Sequence, residues 1–169
     1  MQTCHTQRRA VQWVAAKTGG VACLSGHAGT GKTATASAYL RAFQKVGRAV
    51  IGTALSWNTA EKLAAETGLD TVSIASLRAQ LDQGTRTLDC NCVVLVDEAG
   101  MVGVRSTAQL QRHVDHAAGN LVLVGDCLQL QPIEAGAGLR LAIDGSGETV
   151  LTDIRRQSNE RDRALARLF

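Results

Sequence analysis

The sequence predicts an α/β fold: one domain with a mainly parallel sheet and helices on both faces. Short apolar runs alternate with segments of helical periodicity along most of the chain, and that alternation gives parallel strands joined by right-handed crossovers. The inner runs read VVLV (93–96) and LVLV (121–124), apolar on both sides of the pleat, as strands covered on both faces must be. A chain of 169 residues, 45% of them hydrophobic, can close one such core. A single proline and no low-complexity stretch leave nothing that reads as an internal linker.

Taken in order, Thr6–Lys17 has amphipathic spacing and is expected to be a first helix, with Trp13 on its packed side. Val21–Leu24 is the first strand, where Cys23 counts as a small apolar residue. Gly31–Val46 follows a glycine turn with helical spacing, and Ala49–Thr53 is a β-rich second strand. Trp57–Thr67 and Ile74–Asp82 read as helices, Val93–Val96 as the third strand and Arg105–Ala117 as a helix. Its His113 and His116 lie three apart on one face and read as a solvated surface rather than as metal ligands. Leu121–Val124 and Thr149–Leu151 complete the strands. Between those two, EAGAGLRLAIDGSGE (134–148) is so rich in glycine that it reads as a surface excursion. A last helix from Asn159 stops without a glycine or proline cap, as a chain cut within a larger protein would.

Composition excludes more than it selects. With 20% charged residues the chain is far from the disordered class, and a net charge of +3 makes no argument for nucleic acid, so any basic surface has to be local. The five cysteines are odd in number and lack CxxC spacing; no structural metal is expected, and a reducing cytosol suits them. The start, MQTCHTQRRAVQW, has no apolar signal core. No apolar run approaches the roughly 18 residues of a membrane span, so the expectation is a cytoplasmic protein without a membrane partner.

The chemistry begins at GHAGTGKT, Gly26 to Thr33, which fits the Walker A pattern between a strand and a helix. Glycines there let backbone N–H groups turn inward around phosphates, so Gly26, Ala28, Gly29, Thr30 and Gly31 are candidate phosphate-binding positions. Lys32 would reach the terminal phosphates, Thr33 would offer its hydroxyl to Mg²⁺, and the helix N-terminus adds partial positive charge. The plain alternative, a glycine turn that binds nothing, does not account for Gly31-Lys32-Thr33 in that setting.

The second element is VVLVDEAGMVG, 93–103. Four apolar residues carry Asp97 and Glu98 to the C-terminal end of an inner strand, where ligands bind in open α/β sheets. Asp97 is the candidate Mg²⁺ ligand, and Glu98 the candidate base that orients and deprotonates an attacking water. Two adjacent carboxylates are costly unless a cation or a shifted pKa relieves them.

The third is LVLVGDCLQLQPIEAG, 121–136, where a buried strand ends in two glutamines. If this strand lies beside the one bearing Asp97, Gln129 emerges near a γ-phosphate, where an amide can touch phosphate and water together. Gln131 either reports nucleotide state or caps loop backbone.

The order of these motifs, with QRRAV (7–11), VIGTALSWNTAEKL (50–63) and LTDIRRQ (151–157), resembles the first motor domain of RecD-like, superfamily 1B DNA helicases. Within that family it is most similar to the helicase region of conjugative relaxases of the TraA/MobA type. The resemblance covers about Thr6 to Gln157. It implies a three-layer RecA-like P-loop NTPase, ATP and Mg²⁺ as cofactors, single-stranded DNA as partner, and a second RecA-like domain in the parent protein. It also implies an ATPase of the DNA-helicase type, acting in conjugation. By the same resemblance Gln7 would contact adenine, Gln129 would sense the γ-phosphate, and Arg156 would stabilise transition-state charge. Thr53, Ser56, Trp57 and Ser76 would touch the DNA strand, with Ser73 beside them. Trp57 either packs or stacks on a base. Cys127 stands where the family commonly has proline. The second motor domain does not follow within this chain, which leaves a rival reading: a module that binds nucleotide or single-stranded DNA without turnover. A small P-loop kinase would need a lid and an acceptor pocket, and nothing in the sequence resembles either.

Overall fold

A computed structural model describes residues 20–27, 32–45, 47–126, 136 and 138–151. The helices expected over Thr6–Lys17 and from Asn159 lie outside that range. Among the described residues six strands form one sheet: β1 (Gly20–Gly26), β2 (Ala49–Ala54), β3 (Asp70–Ser73), β4 (Cys92–Val96), β5 (Asn120–Gly125) and β6 (Glu148–Leu151). Their spatial order is β3-β2-β4-β5-β1-β6, with every pairing parallel. The described helices are α1 (Lys32–Lys45), α2 (Trp57–Thr67), α3 (Ile74–Asp82), α4 (Val104–His116) and α5 (Gly138–Ser146).

The apolar runs are explained by layers. On one face Ala22, Leu24, Val50, Val93, Leu95, Val122 and Val124 pack under Leu40 and Phe43 of α1 and Leu63 of α2. On the other, Val21, Cys23, Ile51, Val94, Val96, Leu121 and Leu123 pack under α3, α4 and α5 through Ile74, Leu77, Leu110, Val114 and Leu139. Both faces of β4 and β5 are therefore dry, which is why their sequences do not alternate. Helix ends are set locally. Ser56 caps α2 by accepting from the Thr59 N–H at 3.2 Å, and Gly68 closes it at φ 72°, its N–H donating to Ala64 at 2.7 Å. Ser73 caps α3 through the Ser76 N–H. At the strands' N-terminal rim Arg48 donates to Asn120 Oδ1 at 2.7 Å and to the Cys90 carbonyl at 3.1 Å, its guanidinium lying over the Phe43 ring.

Two elements differ from the expectation. β3 reads only DTVS, an edge strand too short and too polar to signal itself. It exists because β2 offers a free edge, and because Gly52 has no Cβ to collide with the Thr71 methyl. The glycine-rich stretch is not a surface excursion: residues 138–146 form α5, with Leu139 fully buried and Ala142 and Ile143 packed on the same cluster. Leu139, Ala142 and Ile143 follow i, i+3, i+4 spacing, which the surrounding glycines mask in sequence. Gly138 belongs to the packing, since a Cβ there would strike the Thr107 side chain of α4. Among the described residues no helix is long and apolar enough to cross a membrane.

Candidate functional site

A wholly parallel sheet delivers all its C-terminal strand ends to one rim, and the register decides which side chains meet there. Leu24, Leu95 and Val124 face α1 and α2. The residues two further on, Gly26, Asp97 and Asp126, fall on that same side by the period of the strand. β5 lies between β1 and β4, with Ser25 opposite Gly125 and Val96 opposite Leu123. The condition set for the glutamine loop is thus met: the strand that leads into it neighbours the strand bearing Asp97.

Lys32 opens α1 and folds back over the end of β1. Its Nζ donates to the carbonyls of Gly26 at 2.6 Å and His27 at 3.0 Å, and lies 4.0 Å from Asp126 Oδ2. Asp126 is buried. Asp97 leaves β4 with its N–H donating to the Thr53 carbonyl at 2.8 Å, and its carboxylate accepts from the Glu98 N–H at 3.0 Å. Burial pushes the Asp97 carboxyl above its ordinary range; the carboxylates of Glu98 and Glu66 push the same way, against the Glu98 N–H bond and the Lys32 charge. An acid in that state is relieved by a cation.

Glu98 adopts a left-handed conformation, φ 53° and ψ 35°, before the 3-10 turn Ala99–Met101, and its side chain is exposed. Such a backbone costs about 1–3 kcal/mol in a residue with a side chain. What holds it is a close crossing of two glycines: a Cβ on Gly100 would strike the Asp126 carbonyl, and one on Gly125 would lie 2.7 Å from the Gly100 nitrogen. The turn that carries Glu98 is therefore locked against the exit of β5.

Of the residues expected to contact the strand, Thr53 has its side chain buried inside the sheet, its hydroxyl donating to the Leu95 carbonyl at 2.9 Å, because Thr53 points to the α3 side, opposite Gly52 and Ala54. Ser56 and Trp57 do lie at the rim; Ser56 is exposed and occupied as a cap, and Trp57 is 58% exposed. Ser76 is half-buried and accepts from Gln80 Nε2. Gln7, Ala28, Gly29, Thr30, Gly31, Gln129, Gln131 and Arg156 lie outside the described residues, as does the Thr33 side chain.

Asp126 joins Lys32 at the rim, and the sequence did not single it out. Its signal was a second acid placed, like Asp97, just past an apolar inner strand, but a Gly-Asp pair after a strand is also an ordinary turn. The residues present fit a nucleotide phosphate with a small hard cation. Lysine and a strand-to-helix turn meet the phosphate, and carboxylate oxygen meets a cation of the Mg²⁺ kind, which takes one or two protein ligands and keeps waters and phosphate for the rest. Among the described residues no group of three or more His, Cys, Asp or Glu could hold a metal by itself. His113 instead pairs with Asp82 at 2.9 Å, away from this rim.

Comparison with known proteins adds three findings. A family described as AAA domain matches residues 2–169. A probable conjugal transfer protein TraA of Sinorhizobium fredii is 39% identical over 140 residues, which is 83% of this chain and 13% of that protein; a TraA of Agrobacterium fabrum is 38% identical over the same shares. The chain thus spans about an eighth of the length of these curated relatives. Among solved structures, Pif1 helicase from Candida albicans superposes with a TM-score of 0.66 at 20% identity, over 96% of this chain and 42% of that one. Pif1 of Bacteroides bound to single-stranded DNA gives 0.65 at 16%, over 94% and 44%. At such identities the likeness is one of fold, and the fold is that of RecA-like helicase domains.

Proposed function

Because the chain belongs to the AAA domain family, we propose that it is the ATP-binding and ATP-hydrolysing motor domain of a helicase that moves along single-stranded DNA. The observation that carries this reading is the meeting of Lys32, Asp97 and Asp126 on the α1 side of one rim, with Glu98 turned out beside them. A pure binder has no use for a water-orienting acid held in a costly backbone conformation. The TraA relatives support a place in conjugal transfer; in this reading the chain is one motor domain of a longer relaxase and helicase and works with a second RecA-like domain. Pif1 structures solved with single-stranded DNA and with ADP-AlF4 support the two ligands. A cytoplasmic setting fits the free thiols of Cys90 and Cys92.

In this reading the backbone of Gly26 to Gly31 cradles the phosphates and Lys32 neutralises them, while Gln7 contacts adenine. Asp97 and Thr33 would hold Mg²⁺, which when bound neutralises charge on the β- and γ-phosphate oxygens. Glu98 takes the proton of the attacking water, Gln129 orients that water, and Arg156 stabilises the charge that develops. Ser56, Trp57 and Ser76, at the same rim on neighbouring elements, take the strand.

The test is phosphate release from Mg-ATP by this chain, with and without single-stranded DNA, using Lys32→Ala as the blank. DNA-stimulated release is expected. Nucleotide bound without release would instead make the chain a binding module as it stands.

A further inference from the structure

Lys32 makes its contacts in two kinds. The carbonyls of Gly26 and His27 accept from the amino group at 2.6 and 3.0 Å. They are neutral and do not balance its charge. An opposite charge stands close by at Asp126, whose Oδ2 lies 4.0 Å away, beyond hydrogen-bond length but within ion-pair reach. Both side chains are largely buried, where solvent screens such a pair poorly. A buried carboxylate is tolerated when it is paired. The backbone seat of Asp126 is fixed as well: Gly125 and Gly100 cross without Cβ atoms, and a Cβ at Gly125 would also lie 2.8 Å from Leu139 of α5.

We propose that Asp126 is the resting counter-ion of Lys32, and that nucleotide enters the site by exchanging a phosphate oxygen for this carboxylate at the lysine. Asp126 is then a positioning residue. It holds the ammonium in place between turnovers, competes with incoming phosphate, and recaptures the lysine as product leaves. An ion pair lacking a direct hydrogen bond suits that role, since it orients the lysine and still yields to a phosphate. The inference rests on the nucleotide-binding reading above and adds to it a cost of entry that Asp126 sets.

Two readings of one variant test it. Lys32 acylation by an N-hydroxysuccinimide acetate, followed by mass spectrometry, reports whether the amino group is held; the exposed Lys45 and Lys62 serve as references in the same chain. ADP titration calorimetry reports the competition. In the wild type Lys32 should label more slowly than Lys45 and Lys62. In Asp126→Asn its labelling should rise severalfold with the references unchanged, and ADP should bind about three- to tenfold tighter because the competing state is removed. Asp126→Glu should move both readings back toward wild type. Lys32 labelling that ignores Asp126→Asn overturns the proposal, as does faster labelling without tighter ADP. Wild-type Lys32 labelling as fast as Lys45 overturns it too, whether or not the variant folds. A wild-type chain that binds no ADP, while its Lys32 labelling still responds to the substitution, overturns the nucleotide reading and the exchange with it. One that binds ADP with unresponsive labelling overturns the exchange alone.

Discussion

Asp97 and Glu98 are neighbours in sequence with opposite surroundings. Asp97 is half-buried and its carboxyl is pushed up by burial, whereas Glu98 is exposed and turned outward by its left-handed backbone. In the proposed function the first would hold the cation and the second would face the attacking water. Glu98→Gln is therefore expected to bind nucleotide as the wild type does and to lose phosphate release by about 100-fold or more, while Lys32→Ala loses binding itself; equal binding loss in both would contradict the role of Glu98. Asp97 also carries a stability prediction. Its folded pKa lies above the ordinary 3.8, so the stability it contributes is full below that value and is lost as pH rises through the shifted one. Asp97→Asn keeps an oxygen to accept the Glu98 N–H and removes the loss. Urea midpoints of the nucleotide-free chain should be higher for the variant at pH 7 and converge with wild type near about pH 4, while its Mg-dependent ATP affinity falls. These two acids and Lys32 were legible in sequence because each follows an apolar strand at a fixed step. Asp126 was not, since its place beside Lys32 depends on β5 lying beside β1, and no local pattern encodes that neighbour.

At the scale of elements, the rim is made of strand ends pinned to the helices that follow them. Gly100→Ala should move one such pin: its Cβ meets backbone rather than a flexible side chain, and a cost of about 3 kcal/mol is expected in urea unfolding, together with weaker nucleotide binding as the β5 exit shifts. Substitutions at Ser56 separate its capping from the DNA contact proposed for it. Ser56→Ala should cost about 1 kcal/mol. Ser56→Asp keeps a capping oxygen but places a charge at the rim, so stability should stay near wild type and single-strand affinity should drop; unaltered affinity would move the strand away from the start of α2. Helices with plain apolar spacing, such as α2 and α4, were readable in sequence. β3 and α5 were not. One owes its existence to a free sheet edge, and the other hides three core residues among glycines whose lack of Cβ the packing requires at Gly138.

For the whole molecule, the parallel sheet sorts function to one rim and ties such as Arg48 to the other. With a net charge of only +3, the chain has no strong general field to offer a polyanion. Single-strand binding should come from a few backbone contacts at the functional rim, its affinity falling with salt at a log–log slope of roughly −0.7 per phosphate contacted. Fluorescence anisotropy that shows the same affinity at low and moderate salt would remove the backbone-contact reading. The sheet order has a further consequence, for how the chain is made. Among the described residues β1 pairs with β5 and β6 and with no strand nearer in sequence: Gly20 waits for Asn120, and Cys23 for Glu148. At ribosomal speeds of about 5–20 residues per second, the roughly 100 residues between them leave this apolar strand without either neighbour for about 5–20 s. During that interval the emerging chain is an aggregation hazard, and the segment that later shapes the phosphate site is the one most in need of a chaperone.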